Sequence, residues 1–385
     1  MTRVAVLVTA RPSMARIQTA LEAMPAAGLS PLVVLAGAAC ASDYGDVRPQ
    51  VEALGLPYEA LYGRWQDDHP AGMAVYTGQL TEALAACWRR LRPDAVLVLC
   101  DRHEVLAGAI AASYQNLPLF HLQGGEVTGS VDDRVRDAIT QLADLHLVAT
   151  NAAYARVHAM RGHNGVSWPS RPYTVVETGC PSVALAHRAF YAAGPDVGAA
   201  LHAHGHGATI DLTQPYAVLM QHPDTTSWGD ADAQMEASVA ALLAWGGQVV
   251  AFWPNPDAGR EAVARVLRTT THEPRWRHLR HVTPETFYRL IAGCAVLVGN
   301  SSVGIREAAY LGVPVVNVGE RQRGRERAKN VIDVGYDSAD ILRGVTLWGA
   351  YARPMRSWLY GDDNSGVRVA RAMGEWLGVS QREVA

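Results

Sequence analysis

Residues 94–123 read DAVLVLCDRHEVLAGAIAASYQNLPLFHLQ. The apolar run DAVLVLC (94–100) gives way to a helical segment, and a second apolar run, LPLFHLQ (117–123), follows it. Continuous apolar strands separated by helices belong to a parallel sheet covered on both faces. The same unit recurs outward from this stretch. VAVLVTA (4–10) and PLVVLAG (31–37) precede it, and LHLVAT (145–150) and TVVETG (174–179) follow. A second set comprises YAVLMQH (216–222), QVVAFWP (248–254), AVLVGN (295–300) and VPVVNVG (313–319). Between the sets, AAGPDVGAALHAHGHGATIDLTQ (192–214) has few large apolar residues and reads as a linker.

The expectation is an α/β protein of two Rossmann-like, doubly wound domains, residues 1–185 and 186–355. The last helical segment, SGVRVARAMGEWLGV, lies within 356–385 and is expected to pack back on the first domain. Ligands of such sheets bind beyond the carboxyl ends of the strands, so the expected active site is the interdomain cleft.

Composition narrows the class. With 385 residues, two domains are the default, and 49% apolar residues can build both cores. A formal charge of -3 argues against a nucleic-acid surface, which needs a basic excess. The start, MTRVAVLVTA, runs into a strand without a signal-peptide layout, and no apolar stretch reaches the roughly 18 residues of a membrane span. The five cysteines are scattered, odd in number and without a C-x-x-C pair. That pattern predicts a reduced, cytoplasmic protein with no zinc site. The first turn, TARPSMARI, lacks the glycines of a dinucleotide fingerprint, and no G-x-x-x-x-G-K-[ST] is present.

Several strand ends carry chemistry. In HLQGGEVTGSVDDRVRDAIT (121–140), Glu126, Asp132 and Asp133 follow a strand within eight residues. Asp132 and Asp133 stand in a predicted first helical turn, where acids also complement the helix dipole. Glu126 follows two glycines and caps nothing obvious. In CDRHE (100–104), Asp101 is either a catalytic acid or a helix N-cap with Glu104 as its capping-box partner. In GNSSVGIREAAYLGVPVVNVG (299–319), a strand ends in small residues and hydroxyls before a helix. Ser301 and Ser302 suit a phosphate and Glu307 a ribose diol, unless the serines are simple caps. GERQRGRERAKN (319–330) places Arg321 where it can clamp a diphosphate, with the later basic residues structural. His222, at the strand end QHPDT, is a cleft candidate or a structural histidine. The histidines of HAHGHG (202–207) read as flexible linker rather than a metal site.

Taken together, these segments resemble the UDP-N-acetylglucosamine 2-epimerase family, in particular its hydrolysing, N-acetylmannosamine-forming branch. The matching stretches are DRHEVLAGAIAA, HLQGGEVTGSVDDRVRDAITQLADLHLVAT, TGCPS, HPDT, WPNPDAG and GNSSVGIREAAYLGVPVVNVGERQRGRERAKNVID, in order from about residue 90 to 335. The resemblance implies a GT-B-like fold, a UDP-sugar substrate, no cofactor or metal, and a homo-oligomer, dimer or tetramer. It assigns Asp101, Glu126, an acid of the pair Asp132 and Asp133, and His222 to catalysis. It assigns Arg11, Ser301, Ser302, Gly304, Glu307 and Arg321 to UDP. The chain departs from the family at Cys100, where glycine is usual, and at Gln123, where the hydrolysing branch often has histidine. Val303 replaces a small residue, and TARPSMARI differs from the RADYG-type first turn.

The implied chemistry explains the acids. A proton at C2 of a hexosamine has no adjacent carbonyl, so the implied route is elimination of UDP to a glycal, then hydration with proton return from the other face. Two faces need at least two acid/base groups, and the leaving diphosphate needs cationic and N–H donors. A non-hydrolysing epimerase, a GT-B glycosyltransferase and a nucleotide-sugar-binding regulator without activity are the competing readings.

Overall fold

The computed structural model describes residues 1–41, 46–61, 69–162, 173–224, 226–255 and 257–379. The chain forms two compact units: Met1–Glu126 with Val131–Ala184 and Gly361–Ala385, and Leu185–Tyr360 with Val127–Ser130.

The first unit is built on a parallel sheet of seven strands: β1 Thr2–Val8, β2 Leu29–Leu35, β3 Tyr58–Ala60, β4 Ala95–Leu99, β5 Leu119–Leu122, β6 Leu145–Val148 and β7 Thr174–Glu177. The spatial order is β3-β2-β1-β4-β5-β6-β7. Its helices are α1 Arg11–Ala23, α2 Arg48–Ala53, α3 Pro70–Leu91, α4 His103–Tyr114, α5 Asp132–Leu142 and α6 Asn151–Gly162. The alternation of β1 shows why its strand reads as continuously apolar. Val4, Val6 and Val8 enter one core with Met14, Ile17 and Leu21 of α1. Ala5 and Leu7 enter the opposite core with Leu84 and Trp88 of α3. Both faces are dry, so neither needs polar residues.

The second unit contains β8 Gly205–Gly207, β9 Tyr216–Met220, β10 Gln248–Phe252, β11 Trp276–Leu279, β12 Val296–Gly299, β13 Val315–Val318 and β14 Val331–Val334, in the order β14-β13-β12-β9-β10-β11-β8. All of these pairs are parallel except β11 with β8. Helix α7 (Pro181–Tyr191) leads into this unit, followed by α8 Val197–His204, α9 Ala231–Trp245, α10 Arg260–Thr269, α11 Pro284–Gly293, α12 Ser302–Ile305, α13 Glu307–Leu311 and α14 Ser338–Ala350. The last helix, α15 (Ser365–Trp376), belongs to the first unit, where Val369 and Met373 share the core of Ile17 and Leu21.

The linker expectation is corrected. Residues 192–214 hold α8 and β8, and the histidine-rich run is ordered in them. The cause is Arg277 of β11. Its guanidinium donates to the carbonyls of Leu201, His202, Gly205, Gly207 and Ala208 at 2.9 to 3.2 Å. A segment with little apolar surface is thus held by backbone hydrogen bonds to one buried cation. No group of metal-ligating side chains occurs among the described residues. Strands β3, β8, β11 and β14 carry no strong apolar run, so the hydrophobic pattern does not mark them.

Strand order reverses between β1 and β4 in the first sheet and between β9 and β12 in the second. These switch points open the crevices in which doubly wound sheets take ligands.

Candidate active site

At the first switch point, β4 delivers Asp101 and the neighbouring β5 delivers Glu126. Helix α5 adds a cation, Arg136, that is absent from the sequence-based expectations. Arg136, with Ile139 and Thr140, forms the buried stripe of α5. Its guanidinium is fully buried and donates to the Asp101 carboxylate. It also donates to Asp133 Oδ1 at 2.5 Å and to the Glu126 carbonyl at 2.7 Å. Burial alone would pull Arg136 down. The charges of Asp101 and Glu126, with the bonds to Asp101 and Asp133, outweigh that and raise it above its ordinary range. One guanidinium therefore holds the carboxylates of Asp101 and Asp133 and the main-chain carbonyl of Glu126. Its signal in the sequence was the i,i+3 spacing from Asp133, on the face of the helix that packs inward.

The alternative roles of these acids can now be separated. Asp101 caps no helix: α4 starts at His103 with Arg102 as its N-cap residue. Glu104 is no capping-box partner either. It is buried, and it pairs with Arg102 at 3.1 Å and His103 at 3.2 Å. Burial pushes its carboxyl up, but these partners overcome that and hold it below the usual range. Asp132 and Asp133 both stand in the first turn of α5. Asp133 is bound to Arg136; Asp132 is half-buried beside it. Arg11 begins α1 just past β1, and burial pulls its guanidinium down to about 10.

The strand ends that aim these acids are unusual. Cys100 and Gln123 hold φ of 67° and 66°, the left-handed region that favours glycine. The Cys100 carbonyl accepts from His121 Nε2 at 2.8 Å, and His121 Nδ1 lies 3.2 Å from the Thr140 hydroxyl. His121 is therefore the neutral Nε2–H tautomer, and burial pushes it down to about 4.

At the second switch point, Asn300 follows β12 and His222 follows β9. The His222 N–H donates to Asn300 Oδ1, and Asn300 Nδ2 donates to the His222 carbonyl, both at 2.8 Å. His222 Nδ1 accepts from the Asn255 N–H at 3.2 Å. The neutral imidazole thus carries its proton on Nε2 and can act there as a donor. The Asn300 carbonyl accepts from Gln322 Nε2 at 2.9 Å and Arg321 at 3.3 Å. Arg321 also faces Asp257 at 3.9 Å. Asn300 and Gln322 leave no signal in the sequence, because asparagine and glutamine have no spacing signature; Asp257 lies within WPNPDAG.

The serine turn is more specific than a capped helix. Ser301 occupies the N-cap position of α12, yet its side chain makes no capping bond. Its hydroxyl is half-exposed at a strand end. Gly299 allows the turn: a Cβ there would lie 2.2 Å from the Met220 carbonyl. Ser302 opens α12, and Glu307 opens α13 after a break at Arg306. The expected single helix is thus two short pieces. Glu307 is buried and lies 3.5 Å from the Tyr288 hydroxyl. Gly304 is required by packing. Its N–H is taken by the Ser301 carbonyl, and an added Cβ would lie 3.0 Å from Val315. It is a packing glycine against β13. Arg325 donates to Gln322 and Arg327 to Asp333, so the later arginines serve the loop itself.

A family profile described as UDP-N-acetylglucosamine 2-epimerase matches residues 24–374. The chain belongs to that family. It is similar to the Legionella pneumophila UDP-N,N'-diacetylbacillosamine 2-epimerase (hydrolyzing), 35% identical over 253 residues, 66% of this chain and 63% of that protein. It is also similar to the polysialic acid biosynthesis protein P7 of Escherichia coli, 31% identical over 257 residues, 66% of this chain and 62% of that protein. The chain thus spans less than two thirds of the length of both relatives. The S. aureus MnaA–UDP structure has a TM-score of 0.76 at 17% identity, covering 100% of this chain and 99% of that one. The fold is the GT-B-like α/β architecture of the epimerase family.

Proposed function

We propose that this epimerase-family protein is a hydrolysing 2-epimerase of a UDP-N-acetylhexosamine, UDP-N-acetylglucosamine or a modified relative. The observation that carries the reading is the buried guanidinium of Arg136, which holds the carboxylates of Asp101 and Asp133 and the main-chain carbonyl of Glu126. Elimination and hydration at C1–C2 need several acid/base groups, and acids grouped around one cation can supply them. Glu126 or Asp101 takes the C2 proton as the C1–O bond to UDP breaks. Asp132 or Asp133 then serves hydration of the glycal or the proton return. In the second unit, Ser301, Ser302 and Arg321 suit the departing diphosphate, Glu307 suits the ribose diol, and His222 Nε2–H is a donor for the leaving oxygen. Arg11 of the first unit is a further cation for the diphosphate. The relative named as hydrolysing supports water, rather than UDP, as the group added to the glycal.

The sugar product on this reading is the N-acetylmannosamine-type epimer, a precursor for sialic-acid-type sugars. We place the protein in the cytoplasm as a homo-oligomer; its five unpaired cysteines fit a reducing compartment. The test is proton NMR in D2O with UDP-N-acetylglucosamine and UDP-N,N'-diacetylbacillosamine. Free UDP with a C2-deuterated epimer of the sugar is expected. A deuterated UDP-sugar without free UDP would instead establish the non-hydrolysing reaction.

A further inference from the structure

We infer that Cys100, Gln123 and Cys180 form an uncharged hydrogen-bonded brace that aims Asp101 and Glu126. Cys100 and Gln123 are thereby positioning residues, and the inference rests on the proposed roles of those two acids. Residue 100 directly precedes Asp101, and residue 123 opens the turn that ends in Glu126. Both hold a left-handed backbone that costs a side-chain-bearing residue about 1 kcal/mol or more. Such a conformation persists only where the surroundings over-determine it.

Here the surroundings do so. The Cys100 thiol donates to Gln123 Oε1 at 3.0 Å and accepts from Arg16 at 3.1 Å. Gln123 Nε2 donates to Cys180 Sγ at 2.6 Å, and Cys180 Sγ lies 2.8 Å from the Ser182 hydroxyl. The backbone adds to this: Cys100 N–H reaches the Leu122 carbonyl at 2.9 Å, and Gln123 N–H reaches Leu147 at 2.8 Å. The turn beyond has no slack. A Cβ on Gly124 would lie 2.8 Å from His121, and one on Gly125 would lie 2.5 Å from the Ala153 carbonyl. One amide side chain thus ties the ends of β4 and β5 to the start of α7. It does so without adding charge to a cluster whose charge balance the reaction uses.

The test compares Cys100→Ala, Cys100→Gly, Gln123→Ala and the Cys100→Ala/Gln123→Ala double variant with wild type. Alanine keeps the conformational cost and loses the sulfur bonds. It should lower kcat by about tenfold or more, the scale of a small misplacement, with KM within about twofold. Glycine carries no Cβ penalty at this φ and should return kcat to within about threefold of wild type. The double variant should fall little further than either single one. Unchanged kcat in Cys100→Ala, no recovery with glycine, or additive losses would overturn the brace. Hydrogen exchange in the peptide 119–127 reads the brace without turnover: Cys100→Ala should speed it, and unchanged exchange would also overturn it. If wild type releases UDP from no UDP-hexosamine, the functional reading fails, and the brace stands or falls on that exchange result.

Discussion

His222 and Asn300 exchange two 2.8 Å hydrogen bonds across the switch point of the second sheet. The Asn300 amide matches both backbone groups of His222, and its own carbonyl collects Gln322 and Arg321. The fully buried side chain thereby ties the serine turn to the histidine, and the main-chain carbonyl of the same residue holds the arginine loop.

Replacing it should therefore be costly twice over. Asn300→Ala leaves the buried N–H and C=O of His222 unsatisfied, which costs about 1–3 kcal/mol. A lower urea midpoint and weaker UDP binding by calorimetry are expected together. A change in stability with intact UDP affinity would mean that the pair does not shape the nucleotide site.

Arg136→Met should be more damaging than a surface substitution. Removing one partner of a buried ion cluster typically costs about 3–5 kcal/mol, because the remaining charges stay buried. Arg136→Lys keeps the charge but cannot serve Asp101, Asp133 and the Glu126 carbonyl at once. It should fold, as shown by circular dichroism, with turnover reduced by about a hundredfold.

Glu126→Gln isolates the acid itself. Arg136 contacts the Glu126 carbonyl rather than depending on its side chain alone, so the turn should remain. Loss of a general base lowers kcat by about 10²–10⁴. UDP affinity should stay within a few fold, since the residues proposed for the nucleotide, Arg11 aside, lie in the other unit. Full turnover of a folded Glu126→Gln would remove Glu126 from the mechanism.

Gly299→Ala tests the turn before the serines. At φ 126°, with the Met220 carbonyl 2.2 Å from the added Cβ, the substitution is strained both locally and sterically. Destabilisation of about 2 kcal/mol or more is expected, read as a lower thermal midpoint.

Acid should weaken the first unit. Burial holds His121 neutral down to about 4, whereas an unfolded histidine titrates near 6.5. Between these values the unfolded chain binds the proton and the folded one does not, so stability rises with pH across that window. Full stabilisation is present above about 6.5 and is lost as pH falls towards 4, a change on the order of 3 kcal/mol. Urea midpoints at several pH values should show this slope, and His121→Asn should flatten it.

The chain's own pattern determined a good deal. Unbroken apolar runs such as DAVLVLC and VPVVNVG can be satisfied only by a sheet buried on both faces, so the α/β class and most strands were legible. Acids, serines and histidine at the ends of those runs were legible for the same reason, since strand ends are where such sheets meet ligands. Strands β11 and β14 were not, because WRHL and VIDV take their order from neighbours rather than from apolar content. Residues 192–214 looked unstructured until Arg277 supplied partners for their carbonyls. Only tertiary structure could show that Arg136 joins Asp101, Asp133 and Glu126, or that Gly304 packs against Val315. It alone decided that Cys100 and Gln123 adopt a glycine-like backbone. Propensity and periodicity act within one segment, whereas hydrogen bonds between side chains from different strand ends depend on distances that exist only after the sheets have formed.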